Sequence, residues 1–342
     1  MSISNSFQHA IHRIINGEEL SFDEMCACFD VIMEGQATEI QLTSFLIGLK
    51  MRGETPTDIA AGAATLRAKA TVLEDSPEDA IDIVGTGGDG LGTLNISTAT
   101  SFVLAGAGIP VAKHGNKAVS SKSGAADVLS ALGIDVSCSF EAVSQALQDA
   151  HIAFLMAPRH HAAMRHVGPV RAELGMRTIF NLLGPLSNPA LVKRIMVGVF
   201  DAGWGNAFAQ ALHQLGTTHA WIVHGADGLD ELSTTGENQI VSLNKGSITE
   251  FTLHPSEIGL DTADINDLIG GSPEQNAAAL KDILGGQKNA YRDIVILNAA
   301  GGLVATGHET DLKTAAERAI ASLDTGAAQQ ALDRLVQITT AQ

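Results

Sequence analysis

The pattern of apolar and polar positions changes character between residues 70 and 80. No strand pattern appears before Ala80, and the first seventy residues read as short helices closed at Gly17, Gly35 and Gly53, since glycine takes the left-handed turn that ends a helix. Start signals alternate with these stops. Ser21-Phe22-Asp23-Glu24 and Thr38-Glu39-Ile40-Gln41 fit capping boxes, and Thr55-Pro56 puts proline at a first helical position. The glycines are evenly spaced, but the stretches between them do not match, so no repeat is inferred.

From Ile81 the chain alternates short apolar runs with helical stretches. IDIVG, a glycine loop, a helix from about Ser97 and the brief strand IPVAKHG form a βαβ unit. Further strands are expected at residues 151–156, 195–200, 219–224 and 293–298, separated by helices such as AVSQALQDA and WGNAFAQALHQLG. Residues 238–257 read as short antiparallel strands or loop, and TAAERAIASLDTGAAQQALDRLVQIT as two amphipathic helices. The expected fold class is α/β. A small all-helical N-terminal domain (1–70) precedes a larger α/β domain (75–342) with a mixed, mostly parallel sheet.

Composition narrows the function classes. A length of 342 residues suits two domains, and aromatics at only 4% suit helices packed closely on a parallel sheet. Three cysteines, Cys26, Cys28 and Cys138, make no disulfide framework and no zinc spacing, and read as buried thiols in a reducing compartment. MSISNSFQHAIHRIINGEEL lacks the cationic start and apolar core of a leader, and no run is long enough to span a membrane, so a cytoplasmic protein is expected. The formal charge of −17 repels nucleic acid. Any polyanionic ligand must meet a local concentration of cations and backbone N–H groups.

Such a concentration follows the first strand. Gly85-Thr86-Gly87-Gly88-Asp89-Gly90 lies between a strand and a helix, where unobstructed N–H groups can ring a phosphate. It also satisfies G-x-G-x-x-G, and a purely structural turn is the third reading. The dinucleotide reading wants an acidic residue after the second strand, whereas that strand ends in Lys113-His114-Gly115-Asn116-Lys117. Asn95, Ser97 and Thr98 stand at the start of the next helix, to cap it or to meet a phosphate or hydrated metal. KHGNKAVSSKSGAADVLSALG carries three lysines and four serines, all but Ser130 placed before a helix whose Val128, Leu129 and Leu132 face a core. Adjacent carboxylates at Asp230 and Glu231 suit magnesium once a phosphorylated substrate is expected; taken alone, HGADGLDELS is a solvated acidic turn. Arg159, His160, His161, Arg165, His166, Arg171 and Arg177 crowd one stretch without metal-ligand spacing, and most read as surface or hinge residues.

Together, DIVGTGGDG, NISTATSFVLAGAGIPVAKHGNKAVSSKSGAADVLSALG, MRHVGPVRAELGMRTIFNLLGPLSNPA and GLDELS resemble the anthranilate phosphoribosyltransferase family of tryptophan biosynthesis, in order and spacing over nearly the whole chain. The resemblance implies a homodimer formed through the helical domain, that domain being joined by helices near 168–185, and an α/β domain like that of type II nucleoside phosphorylases and class IV phosphoribosyltransferases. It implies that phosphoribosyl pyrophosphate is held by Gly85, Thr86, Gly87, Gly88, Asp89, Thr93, Asn95, Ile96, Ser97, Thr98, Lys113, His114, Gly115, Asn116, Lys117, Ala118, Val119, Ser120, Ser121 and Ala125. Anthranilate would face Gly85, His114, Asn116, Arg171, Gly184 and Pro185. Mg2+ would sit at Ser97, Asp230 and Glu231, with Lys113, Asn116 and Arg171 as catalytic residues. Many members read SGSADVL where this chain has SGAADVL, so Ala125 offers only its backbone. The rival readings are a pyrimidine nucleoside phosphorylase, whose glycine loop continues differently after Gly88, and a silent nucleic-acid-binding relative, against which Asn116, Arg171 and the acidic charge argue.

Overall fold

The structure, a computed structural model, describes residues 3–117 and 123–341. Its first four helices are α1 (Ile3–Ile15), α2 (Phe22–Met33), α3 (Glu39–Arg52) and α4 (Pro56–Ala68). The expected starts form as capping boxes, Ser21 with Glu24 and Thr38 with Gln41, and Thr55 adds a third with Asp58 behind Pro56. Each box satisfies N–H groups that a helix start leaves open. Gly17, Gly35 and Gly53 all take positive φ, but Gly53 (φ 93°, ψ 127°) leaves α3 in an extended path rather than a left-handed turn.

Seven strands follow: β1 (Ile81–Gly85), β2 (Val111–Gly115), β3 (Ile152–Met156), β4 (Arg194–Gly198), β5 (His219–His224), β6 (Asn238–Asn244) and β7 (Ser247–Leu253). They form one sheet in the order β3-β2-β1-β4-β5-β6-β7, parallel from β3 through β5 and antiparallel at β6 and β7. The chain winds outward from β1 to β3, returns to the other side of β1 with β4, and winds outward again. A crevice therefore opens at the carboxyl ends of β1 and β4, where the strand order reverses.

The other helices are α5 (Ile96–Gly106), α6 (Ala125–Ala131), α7 (Phe140–Asp149), the short α8 (Ala157–His160), α9 (Gly168–Leu174), α10 (Phe180–Leu186), α11 (Gly205–Gln214), α12 (Pro273–Leu284), α13 (Ala290–Ala305), α14 (Leu312–Asp324) and α15 (Ala327–Thr340). The strand expected at 293–298 is instead the middle of α13. DIVILN is apolar enough for a buried strand, and a run buried on all sides has no period that separates strand from helix. What decides is length: the Asn289 side chain caps the start, and nearly all of the 16 residues are buried.

Alternate residues of the strands serve two cores, as a two-residue side-chain period requires. Ile81, Ile83, Met196, Trp221 and Val223 join the core containing α5, α7 and α12 to α15. Ile195, Val197, Ala220 and Ile222 join α11, α9, α10 and the N-terminal helices in the other. α4 packs on α2, α10 and α11, so the helical region is seated on the sheet face beside the crevice.

Candidate active site

Asp230 and Glu231, in the turn after β5, lie in that crevice and are only 8% exposed each. The solvated-turn reading therefore fails. The Gly87 N–H donates to Asp230 Oδ2 at 2.5 Å, and the Ser97 N–H, at the first turn of α5, donates to Glu231 Oε1 at 3.1 Å. Two adjacent carboxylates thus bind two separate phosphate-loop candidates together. The fit is tight: a Cβ on Gly85 would lie 2.3 Å from Asp230 Oδ2, and one on Gly198 would lie 1.6 Å from the Asp230 carbonyl oxygen.

Burial raises the proton affinity of both acids. Asp230 is held well above the usual carboxylate range by burial and by the charges of Glu231 and Asp89. Glu231 is pushed up by burial to about 7, against the lowering pull of Lys113 and the bonds from Ser97. Lys113, on β2, is buried and donates from Nζ to the Ile83 carbonyl at 2.6 Å. Burial lowers its pKa while Asp82, Glu231 and Asp230 hold its proton on. It stands within the protein as counter-charge to the acids.

The rest of the loop is tied down by its neighbours. Thr86 Oγ1 accepts the Phe200 N–H at 3.1 Å, so this hydroxyl serves the end of β4. Arg177 donates to the Gly88 carbonyl while its guanidinium lies 3.9 Å over the Phe200 ring. Asp89 lies by Asp230. Asn95 starts α5 without capping it through its side chain, and Ile96 and Thr98 are buried. Thr93 bridges Ile269. Ala125 opens α6 beside Gly115. Asn116 and Lys117 are exposed, the Lys117 N–H donating to Asn116 Oδ1 at 2.8 Å. Ala118, Val119, Ser120 and Ser121 lie outside the described residues.

The expected acceptor residues are brought together less completely. The buried His114 ring faces the Gly184 backbone in α10, where Pro185 lies inside the helix. Arg171, on α9, donates to Asn181 Oδ1 at 3.4 Å and lies 5.7 Å from the Phe180 ring. Among the described residues no hydrogen bond or ion pair joins Arg171 or Asn116 to His114. His160 and His161 are buried, against the surface or hinge reading. His160 Nδ1 bonds the Thr71 carbonyl, and the His161 ring stands 5.2 Å from that of His114. Burial pushes His114 down to about 3 and His161 to about 4, so both stay neutral at physiological pH.

Residues 8–70 match the helical bundle domain of a glycosyl transferase family and residues 77–329 its a/b domain. The chain is 52% identical over 333 residues to the anthranilate phosphoribosyltransferase of Parvibaculum lavamentivorans, covering 97% of each protein. The chain belongs to the anthranilate phosphoribosyltransferase family. Solved structures of the family agree. The Thermus thermophilus enzyme superposes with a TM-score of 0.92 at 42% identity, over 96% of this chain and 99% of that one. The Saccharomyces cerevisiae enzyme, solved in complex with PRPP and Mg, gives 0.90 at 28% identity over 99% of both. The nucleoside phosphorylase and nucleic-acid alternatives gain no support from these relatives.

Against this family background, two residues stand out that the sequence reading passed over, Asp82 and Asn188, and a third, Arg177, that it named without a role. Asp82 is fully buried, its Oδ1 accepting the His114 N–H at 3.2 Å and its Oδ2 the Asn188 Nδ2 at 2.7 Å, and burial raises it to about 6. It ties β1 and β2 to the turn after α10. The signal was available: an acid inside the β-branched run IDIVG has no place in a core unless bonded. Asn188 had none, being one amide in a loop. Arg177 was hidden in a stretch of four arginines and three histidines.

Proposed function

We propose that the protein transfers the 5-phosphoribosyl group of phosphoribosyl pyrophosphate to the amine of anthranilate, releasing pyrophosphate, in the cytoplasm and with Mg2+. The observation that carries this reading is the buried Asp230–Glu231 pair meeting the glycine loop and the start of α5 in the crevice of the sheet. Two adjacent oxygen-donor acids suit magnesium, which binds through one or two carboxylates plus substrate phosphates. Among the described residues no group of three His, Cys, Asp or Glu is arranged to hold a metal by protein ligands alone. Asp230 and Glu231, with Ser97 beside them, would hold the ion. When bound it would neutralise charge on the pyrophosphate.

Breaking the C1–oxygen bond leaves positive charge on the ribose and negative charge on the leaving group, so donors placed around the latter lower the barrier. The N–H groups of the Gly85 to Asp89 loop and the start of α5 supply them. An aromatic amine is neutral at pH 7 and attacks C1 through its lone pair without a prior base. His114, with its proton affinity pushed to about 3, is no base either, and serves as a neutral wall beside the acceptor. Arg171 pairs with the acceptor carboxylate. Arg171→Ala is accordingly expected to raise KM for anthranilate about tenfold or more while changing KM for phosphoribosyl pyrophosphate little. Equal effects on both in steady-state assays remove Arg171 from this role.

The homodimer is part of the same proposal. Ile15, Ile40 and Met51 are 60%, 80% and 84% exposed on α1 and α3, two helices that pack together, and such a patch suits self-association. Ile40→Glu with Met51→Glu is expected to halve the mass seen by sedimentation equilibrium. The overall reading is tested by mixing protein, anthranilate, phosphoribosyl pyrophosphate and Mg2+ and following anthranilate fluorescence. A magnesium-dependent loss supports it; no loss in a protein that binds phosphoribosyl pyrophosphate points to another acceptor.

A further inference from the structure

A side-chain amide is a donor at one end and an acceptor at the other, so its use at an anionic ligand depends on which end faces the ligand. For Asn95 the hydrogen-bond network fixes this. The Gly271 N–H can only donate, and it donates to Asn276 Oδ1 at 2.7 Å. The Nδ2 of Asn276 is therefore on the other side, where it donates to Asn95 Oδ1 at 2.8 Å. With its oxygen engaged, Asn95 has its own Nδ2 left for a ligand, and among the described residues no acceptor is bonded to it.

The Asn276 amide is not free to turn over, and its Nδ2 sets which end of Asn95 faces it. Asn276, on α12, is 2% exposed, and a Cβ on Gly270 would stand 3.0 Å from both of its amide atoms. The Asn95 backbone is held too, its carbonyl accepting the Tyr291 hydroxyl at 3.0 Å. The loop before it is strapped along residues 268–271: Leu94 N–H donates to the Leu268 carbonyl and Gly270 N–H to the Gly92 carbonyl, both at 2.9 Å.

We propose that Asn276 is a positioning residue for phosphoribosyl pyrophosphate: it sets the Asn95 amide so that Asn95 meets an anionic oxygen of the substrate as a donor. This rests on reading the Gly85 to Thr98 loop as the site of that substrate. Asn276 does not touch the substrate and acts only through Asn95.

The test is Asn276→Asp. A carboxylate still accepts the Gly271 N–H but turns an oxygen toward Asn95, whose amide must flip and present its own oxygen to the substrate. KM for phosphoribosyl pyrophosphate is expected to rise roughly ten- to a hundredfold, the size of a hydrogen bond to a charged group, while KM for anthranilate stays within about twofold. The added charge also acts through space, so the same substitution is made in an Asn95→Ala background, where it is expected to do little more. An unchanged KM in Asn276→Asp, or an equal rise in both backgrounds, overturns the proposal. If Asn276→Asp does not fold, Asn276→Ala should raise the same KM a few-fold, and a flat result there overturns it as well. Direct binding of phosphoribosyl pyrophosphate to the unmutated protein separates the two levels. If that protein does not bind it, the reading of the site falls and this proposal with it; if it binds and the variants match it, the orientation alone falls.

Discussion

Changing Asp230 to Asn and Glu231 to Gln together is expected to lower kcat/KM by on the order of 10³ or more and to abolish its dependence on Mg2+. The new amides can still accept the Gly87 and Ser97 N–H groups through their oxygens, so the loss isolates charge from geometry. The pair's pKa values are raised by burial, so the folded apoprotein keeps protons that the unfolded chain has already released. Stability from this source is full below the unfolded carboxylate pKa and is lost as pH rises through the folded values, near 7 for Glu231. At pH 8, above the value near 7 for Glu231, the wild-type apoprotein carries the cost of a buried Glu231 anion, and the neutral double variant should melt no lower than it. Protons and Mg2+ compete for the same oxygens, so the apparent affinity for the ion should weaken as pH falls below neutrality, by roughly tenfold at pH 6 for one group titrating near 7. Kinetics across pH with Mg2+ titrations check both parts. Wild-type kinetics in the double variant would return the pair to a structural turn.

Strong local signals carried most of the fold from the sequence. The helix starts at Ser21, Thr38 and Thr55 are short-range chemistry that needs no tertiary help, and they form as read. β1 to β5 were marked by short apolar runs of the right length, and the stretch where β6 and β7 form was left open between strands and loop, whereas part of α13 read as a strand because a helix buried all round carries no amphipathic stripe. Candidate loop residues were legible as residue types: glycines after a strand, serines before a helix, paired acids. Their convergence was not, because Gly87 and Asp230 stand 143 positions apart and meet only through the strand order. The least legible residues are those acting through others. Asn188 and Asn276 are ordinary amides in sequence, and their part comes wholly from the partners that the fold brings to them.

Gly198→Ala is expected to cost about 10²-fold or more in kcat/KM through steric displacement alone, without touching a charged group. Gly198 ends β4, paired with Gly85 on one side and Val223 on the other, and its carbonyl accepts the Thr86 N–H at 2.9 Å. The strand cannot yield without breaking the centre of the sheet. A Cβ there would lie 1.6 Å from the Asp230 oxygen and 2.2 Å from its carbonyl carbon. The acidic turn must therefore withdraw by ~2 Å to restore ordinary contact. That shift undoes the Gly87 to Asp230 bond and the Ser97 to Glu231 bond together. Overpacking of this kind also lowers stability, by about 1–3 kcal/mol. Gly168→Ala is the control, since a Cβ at the start of α9 meets nothing within 4 Å. Thermal melts separate the two effects: a folded Gly198→Ala protein with a weakened Mg2+ response locates the damage at the acidic turn. Unchanged kinetics and Mg2+ response would mean that the turn does not need its seat against β4, and the crevice would lose its place as the site of the chemistry.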